Sequence, residues 1–258
     1  MSQILTQYIP SLEGMKKYPS TLFYKGNLDL LQRPKVSIVG TRRPSNYTRQ
    51  CTYTLANALA KRGVCVVSGA AMGVDAIAHA GAGEENTIAV VANGLDIRYP
   101  SVNKNLISSI EDKGLLLSQF NDGFRATGWS FVVRNELVVA LGDSLIVTEA
   151  DLNSGSMRSV EYALKMGKKI FVLPQRLDES LGTNQLLQTM NATPIHDIEA
   201  FASTFGQIAD DTLEKDDFFY FCQKTPTFDE SLKKFGDRVY EAELEGIITI
   251  ENGIVRLS

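Results

Sequence analysis

The residues of this chain best suited to chemistry are two adjacent arginines in an unusual place. Arg42 and Arg43 follow the apolar run Lys35 to Val39, one glycine (Gly40) and Thr41 in "KVSIVGTRRPS". An open α/β sheet binds its ligands beyond the carboxyl ends of its strands. Arginine's planar fork bonds phosphate through two N–H groups and stacks on bases. Gly40, Thr41, Arg42 and Arg43 therefore read as an anion-binding turn. A dinucleotide site would need G-x-G-x-x-G and an acid about 20 residues later, which this turn lacks. Pro44 then starts the next helix or fixes the turn, with Ser45 or Thr48 as its cap.

Three further stretches have the same character. In "VVSGAAMGVDAIAHA", Ser68 and Gly69 end a strand, Gly73 opens a helix and Asp75 lies in its first turn; small residues and free amides there form a nest for a phosphate. In "GWSFVVRNELVVALGD", Arg134 and Asn135 read as a helix start behind Trp129 and Phe131, and an aromatic beside a cation suits single-stranded nucleic acid, whose bases stack while its phosphates seek charge. In "TEADLNSGSMRSVEYALKMG", Ser154, Gly155 and Ser156 offer N–H and hydroxyl donors at a helix N-terminus. Each stretch also has an ordinary structural reading: solvated turn arginines, glycines for tight packing, Trp129 and Phe131 in the core or a lid, Ser154 as a plain N-cap. Four anion-friendly features at strand ends of one sheet outweigh any one of them.

The elements that must position these residues are legible as well. "KVSIVG", "VCVVS", "TIAVVA", "LLLSQF", "SLIVTEA" and "KKIFVLP" are near-continuous apolar runs, as expected of strands covered on both faces. Helical spacing fills the gaps; Tyr47, Cys51, Leu55, Ala58 and Leu59 make one apolar face, with Gly63 past its end. Alternating strands and helices predict right-handed crossovers and a doubly wound, mainly parallel, Rossmann-like α/β sheet over residues 34–205. Residues 1–33 read as an extension packed on that domain, 206–214 as a polar linker, and 215–258 as three short helices followed by a hairpin turning at Asn252-Gly253. Those four elements spell a small winged-helix-like domain.

Composition limits the function. The chain has 258 residues, 44% apolar and 22% charged, with a net charge of -4. That sum conceals an asymmetry: residues 210–258 carry 12 acids and 6 bases, net -6, so the remainder, with 18 acids and 20 bases, is +2. Cys51, Cys65 and Cys222 are too scattered for a disulfide framework or a zinc site. His79 and His196 leave little material for a metal site or a Ser-His-Asp triad, and His79 reads as a packed or surface residue. Neither cofactor nor metal is expected. The N-terminus lacks a signal-peptide pattern and no run is long enough to span a membrane, so a cytoplasmic protein is expected.

The ordered blocks "YPSTLFYKGN", "VSIVGTRRPSNYT", "VVSGAAMGVDAIAHAGA", "GLDIRYPSVNKNL", "VVRNELVVALGD", "EADLNSGSMRSVEYALKMGKKIFVLP" and "GTNQLL" resemble the DNA-processing protein A (DprA/Smf) family over roughly residues 18–190. The resemblance implies a homodimer that binds single-stranded DNA during natural transformation, protects it and helps load RecA recombinase, without catalysis. It places Gly40, Thr41, Arg42, Arg43, Ser68, Gly69, Gly73, Arg134 and Asn135 in the DNA pocket, with Phe131 as a further member. Two departures stand out: Ala70-Ala71 follow Ser68-Gly69, and Glu136 follows Arg134-Asn135 where the family often has arginine, which would put a negative charge near the pocket. Residues 1–33 are too short for the N-terminal helical domain of many members. At -6 the C-terminal domain is expected to meet protein rather than DNA. A second reading is a nucleotide phosphoribohydrolase of the lysine-decarboxylase-like family. Its P-G-G-x-G-T-x-x-E block is approached by "LNSGSMRSVE", where Glu161 would act on the sugar.

Overall fold

The computed structural model describes residues 2–206, 208, 217–222 and 224–257. They fall into two compact units, Met1–Gln207 and Ile208–Ser258. Apart from residues 206 and 208, the linker expected at 206–214 lies outside the described residues.

The larger unit runs β1 (Gln3–Ile4), β2 (Phe23–Gly26), β3 (Lys35–Val39), α1 (Asn46–Ala60), β4 (Cys65–Ser68), α2 (Val74–Ala82), β5 (Thr87–Val91), α3 (Lys104–Lys113) and β6 (Leu115–Ser118). It continues with α4 (Gly128–Leu141), β7 (Ser144–Val147), α5 (Gly155–Lys165), β8 (Lys169–Val172), α6 (Leu181–Gln188), β9 (Thr193–Pro194) and α7 (Ile198–Ser203). The described strands of this unit form one sheet in the order β1-β2-β6-β5-β4-β3-β7-β8-β9, parallel from β6 to β9. At the far edge β2 pairs antiparallel with β6, and β1 with β2. The N-terminal segment thus belongs to the sheet and does not merely lie on it.

Every residue of β3, β4, β5, β6 and β7 is buried, because helices cover both faces. One core holds Leu115, Leu117, Leu137, Leu141 and Val160; a second holds Ile38, Leu55, Leu59, Val66 and Ala78; a third holds Leu95, Ile107, Ile110 and Leu116. Inside β3 the Ser37 hydroxyl donates to the Val138 carbonyl at 2.6 Å.

Helix starts follow their caps. The Ser45 hydroxyl accepts the Thr48 N–H at the head of α1. Thr127 and Ser130 form a capping box that starts α4 at Gly128. Arg134 and Asn135 consequently lie in the middle of α4, not at its start, with Trp129 and Phe131 inside the same helix. The buried face of α1 also differs from expectation. Tyr47 is exposed, Cys51 half-buried, and Thr48, Thr52 and Ala56 join Leu55, Ala58 and Leu59 inside. The reason is close packing against α2, where a Cβ on Gly81 would stand 2.5 Å from the Tyr53 carbonyl oxygen.

The smaller unit contains α8 (Asp217–Cys222), α9 (Phe228–Phe235), α10 (Arg238–Leu244) and the antiparallel pair β10 (Ile248–Glu251) and β11 (Ile254–Leu257). Asn252 and Gly253 take φ of 52° and 76° between the strands, as a two-residue primed turn requires. Phe218, Cys222, Val239, Ile248 and Val255 form its core.

His79 is wholly buried on α2. The Thr87 hydroxyl donates to the Val66 carbonyl, so the His79 ring must offer Nδ1–H to Thr87, which leaves Nε2 unprotonated and without a partner among the described residues. Burial first, and the Arg134 charge second, push the imidazole pKa down to about 3 from 6.5. Unfolding frees this ring to take a proton between those values, so its contribution to stability is complete above about pH 6.5 and is lost as pH falls toward 3. At pH 5 the loss is on the order of 2 kcal/mol. Thermal unfolding should therefore show His79→Gln losing less stability than the wild type between pH 7 and pH 5; parallel pH profiles would contradict this.

Candidate functional site

The sheet order reverses between β3 and β7, and the loops leaving these two strands bound a cleft of about 460 Å³. The β3 loop supplies Gly40, Thr41 and Arg42; the start of α5 supplies Ser154, Gly155 and Ser156; α4 supplies Arg134 and Asn135; and Gly69 enters from the β4 loop. Residues far apart in sequence thus meet where a doubly wound sheet opens for a ligand.

Arg134 is the buried centre of the site, at 5% exposure. Its Nη1 donates to the Val90 carbonyl at 3.2 Å and lies 3.8 Å from the Asp75 carboxylate. Nε has no partner among the described residues. Burial pushes the guanidinium pKa down and the Asp75 carboxyl pKa up, and each opposes the other's shift through its charge. Gly69 makes this arrangement sterically feasible, since a Cβ there would overlap the Arg134 guanidinium and come within 2.7 Å of Asp75 Oδ2. Asp75 was legible only as a favourable charge in a first helical turn. Its place beside Arg134 is a tertiary outcome: α2 and α4 belong to different cores, and the two side chains meet where Gly69 leaves room at the end of β4.

The arginine turn is pinned from both sides. Thr41 N–H donates to the Glu149 carbonyl at 2.8 Å, and the Thr41 carbonyl accepts the Val74 N–H at 3.1 Å. Gly73, at φ 79°, presses so closely that a Cβ would lie 2.5 Å from the Thr41 oxygen. Gly40 has no room either, with Val74 Cγ2 at 2.6 Å.

Arg42 is exposed, its guanidinium carbon 5.6 Å from the centroid of the Phe131 ring; that of Arg134 lies 5.8 Å from the same centroid. Tyr99 stands 6.1 Å away, tilted by 46°. Phe131 and Tyr99 line a smaller pocket that shares Arg42 and Gly69 with the cleft. At α5, the buried Ser154 hydroxyl caps nothing and has no partner among the described residues. Asn135 Nδ2 donates to the Gly155 carbonyl at 3.4 Å, tying α4 to the α5 start.

Several sequence expectations change. Ser68 does not face the cleft: it is fully buried, and its hydroxyl donates to the Ile38 carbonyl at 2.7 Å to tie β4 to β3. Gly73 shapes the arginine turn rather than lining the cleft, and Arg43 is exposed outside the lining. The phosphate nest expected after β4 is partly occupied by the protein itself, for Asp75 accepts the Ala71 N–H at 3.3 Å. Trp129 is not a core residue; it is 64% exposed, edge-on to Phe120 at 5.8 Å. Glu136 accepts the Lys16 N–H at 2.7 Å and does not line the cleft. Glu161, the acid required by the hydrolase reading, is exposed beside Arg158 at 3.4 Å and also lies outside the lining.

A Rossmann-like sheet with an arginine-bearing cleft at its switch point defines a doubly wound α/β protein with its lining at the usual ligand position of that fold. Residues 3–206 match the family model of DNA recombination-mediator protein A, and the chain belongs to that family. It is 38% identical over 174 residues to the DNA processing protein DprA of Streptococcus pneumoniae, covering 66% of this chain and 61% of that one. The Smf protein of Escherichia coli is 35% identical over 170 residues, 65% of this chain and 46% of its own. The chain thus spans about half to three-fifths of these curated relatives. A structure of DNA processing protein A from Helicobacter pylori, described for its single-stranded DNA binding mode, superposes with a TM-score of 0.77 at 44% identity, covering 79% of this chain and 95% of that one. That of the Streptococcus pneumoniae protein gives 0.72 at 33% identity, covering 79% and 73%.

The fit of Gly69 to Arg134 is directly testable. Gly69→Ala should cost roughly 1–3 kcal/mol in urea unfolding through overpacking. Combined with Arg134→Ala the costs should fail to add by at least about 0.5 kcal/mol, because the second change removes the obstacle. Additive costs would show that the two residues do not share a slot.

Proposed function

We propose that this chain binds single-stranded DNA in the switch-point cleft and acts as a binding protein, not a catalyst. The observation that carries the reading is the Phe131 ring, flanked by Arg42 at 5.6 Å and Arg134 at 5.8 Å beside the cleft. A base stacks on such a ring while phosphates lie against the cations. Arg42, the Ser154 hydroxyl and the N–H groups of Gly155 and Ser156 form the phosphate track, with Gly40, Thr41 and Asn135 as its walls. Arg43 meets the strand outside the cleft. Gly69, Gly73 and Ser68 act by holding this geometry. The likeness to the Helicobacter pylori protein supports a single-stranded ligand.

In the same reading the protein works in the cytoplasm as a homodimer, which joins two clefts and raises effective affinity. It protects incoming strands during natural transformation and passes them to RecA recombinase, in keeping with the recombination-mediator family. Among the described residues no helix is long and apolar enough to cross a membrane. The small unit, taken as winged-helix-like, contacts protein, since at -6 residues 210–258 repel phosphate.

Titration of the purified protein against fluorescent oligo-dT and a matched duplex at two salt concentrations tests the cleft. The single strand should bind more tightly, and Arg42→Ala should weaken it roughly tenfold and reduce the log-log salt slope by about 0.7. Unchanged oligo-dT binding in Arg42→Ala would overturn the assignment.

A further inference from the structure

The smaller unit distributes its charge unevenly. Of the 6 bases against 12 acids in residues 210–258, three surround one pocket. Lys224, Lys233 and Lys234 line a surface pocket of about 640 Å³ with Phe221, Pro226 and Thr227. Lys233 and Lys234 occupy the last turn of α9, where helix carbonyls favour cations. The Lys234 ammonium lies 4.4 Å from the Phe221 centroid and 5.1 Å from that of Phe235, so the rings hold it in place.

No carboxylate among the described residues lies within ion-pair distance of these three lysines. Glu230, the acid on the rim, is occupied elsewhere. It accepts the Thr227 N–H at 3.0 Å and the Thr227 hydroxyl at 2.8 Å as the N-terminal capping box of α9.

We propose that this pocket docks an acidic peptide segment of a partner protein, with carboxylates on Lys224 and Lys233 and an apolar side chain against Phe221 and Pro226. This rests on the reading of the smaller unit as a protein-contacting module and is independent of the DNA cleft. Charge complementarity selects the ligand class. A short acidic peptide can end within the cationic patch. A duplex, with a phosphate about every 3.4 Å per strand, extends well beyond three lysines, on a unit whose exposed Glu241, Glu243, Glu245 and Glu251 disfavour a polyanion.

Fluorescence anisotropy of the full chain with a labelled synthetic peptide of Asp and Glu around a single Phe provides the test. Binding should weaken with salt, be absent for the matched Asn/Gln peptide, and persist in Arg42→Ala. The exposed pair Lys224→Gln and Lys233→Gln should weaken it at least about tenfold while leaving thermal unfolding unchanged. Failure of the peptide to bind overturns the proposal. Equal binding by the lysine double variant overturns the pocket but not the protein-contacting reading of the unit. Lysine-dependent capture of a duplex oligonucleotide in place of the peptide overturns both. Release of the peptide by oligo-dT in the wild type, with no binding in Arg42→Ala, would move the peptide to the cleft and also overturn the proposal.

Discussion

The site depends on one buried ion pair fitted over a glycine. Arg134 is almost wholly removed from water, and removing a guanidinium from water costs several kcal/mol unless charge and hydrogen bonds replace the solvent. Asp75 supplies the charge at 3.8 Å and Val90 the hydrogen bond at 3.2 Å. Neither would be in reach if residue 69 had a side chain. Asp75 in turn holds the Ala71 N–H and so fixes the loop after β4. A single set of contacts therefore places a cation, orders a loop and sets one guanidinium beside the Phe131 ring.

The pair also divides the electrostatic work of the cleft. Arg134 is largely neutralised by Asp75, so at longer range its charge offers an anion little. Arg42 is exposed, and no carboxylate lies within ion-pair distance of it among the described residues. It is therefore the solvent-exposed cation of the cleft lining. Arg134 instead fixes ring geometry and donates at short range. The arginine turn can be rigid because its backbone is held by Glu149 on one side and Val74 on the other, which limits the ordering cost when a ligand arrives.

The smaller unit follows a different logic. Its core of Phe218, Cys222, Val239, Ile248 and Val255 is small, so sharp local signals fix its elements: the Thr227–Glu230 capping box and the Asn252-Gly253 turn. Among the described residues, its acids leave three lysines without carboxylate partners around an aromatic pocket. A charge count by sequence position reports only the acidic sum, because it cannot show which bases share a surface.

The sequence by itself determined the doubly wound α/β class, the placing of an arginine turn at the carboxyl end of a core strand and the terminal hairpin, and it narrowed the α1 cap to Ser45 or Thr48. These are local signals: continuous apolar runs mark strands buried on both faces, and turns demand particular residues. The switch-point rule extended them by gathering strand-end loops at one edge, which is why Arg42, Arg134, Asn135 and Ser154 to Ser156 could be grouped before any contact was known. Only the tertiary structure decided that Gly69 makes room for Arg134, that Ser68 and Gly73 serve packing, that Arg43 leaves the cleft, that Glu136 turns to Lys16 and that Asp75 lies beside the arginine. Those outcomes depend on atoms from elements tens of residues apart approaching within a few ångströms. Periodicity reports which face of an element is covered, but not which side chain covers it.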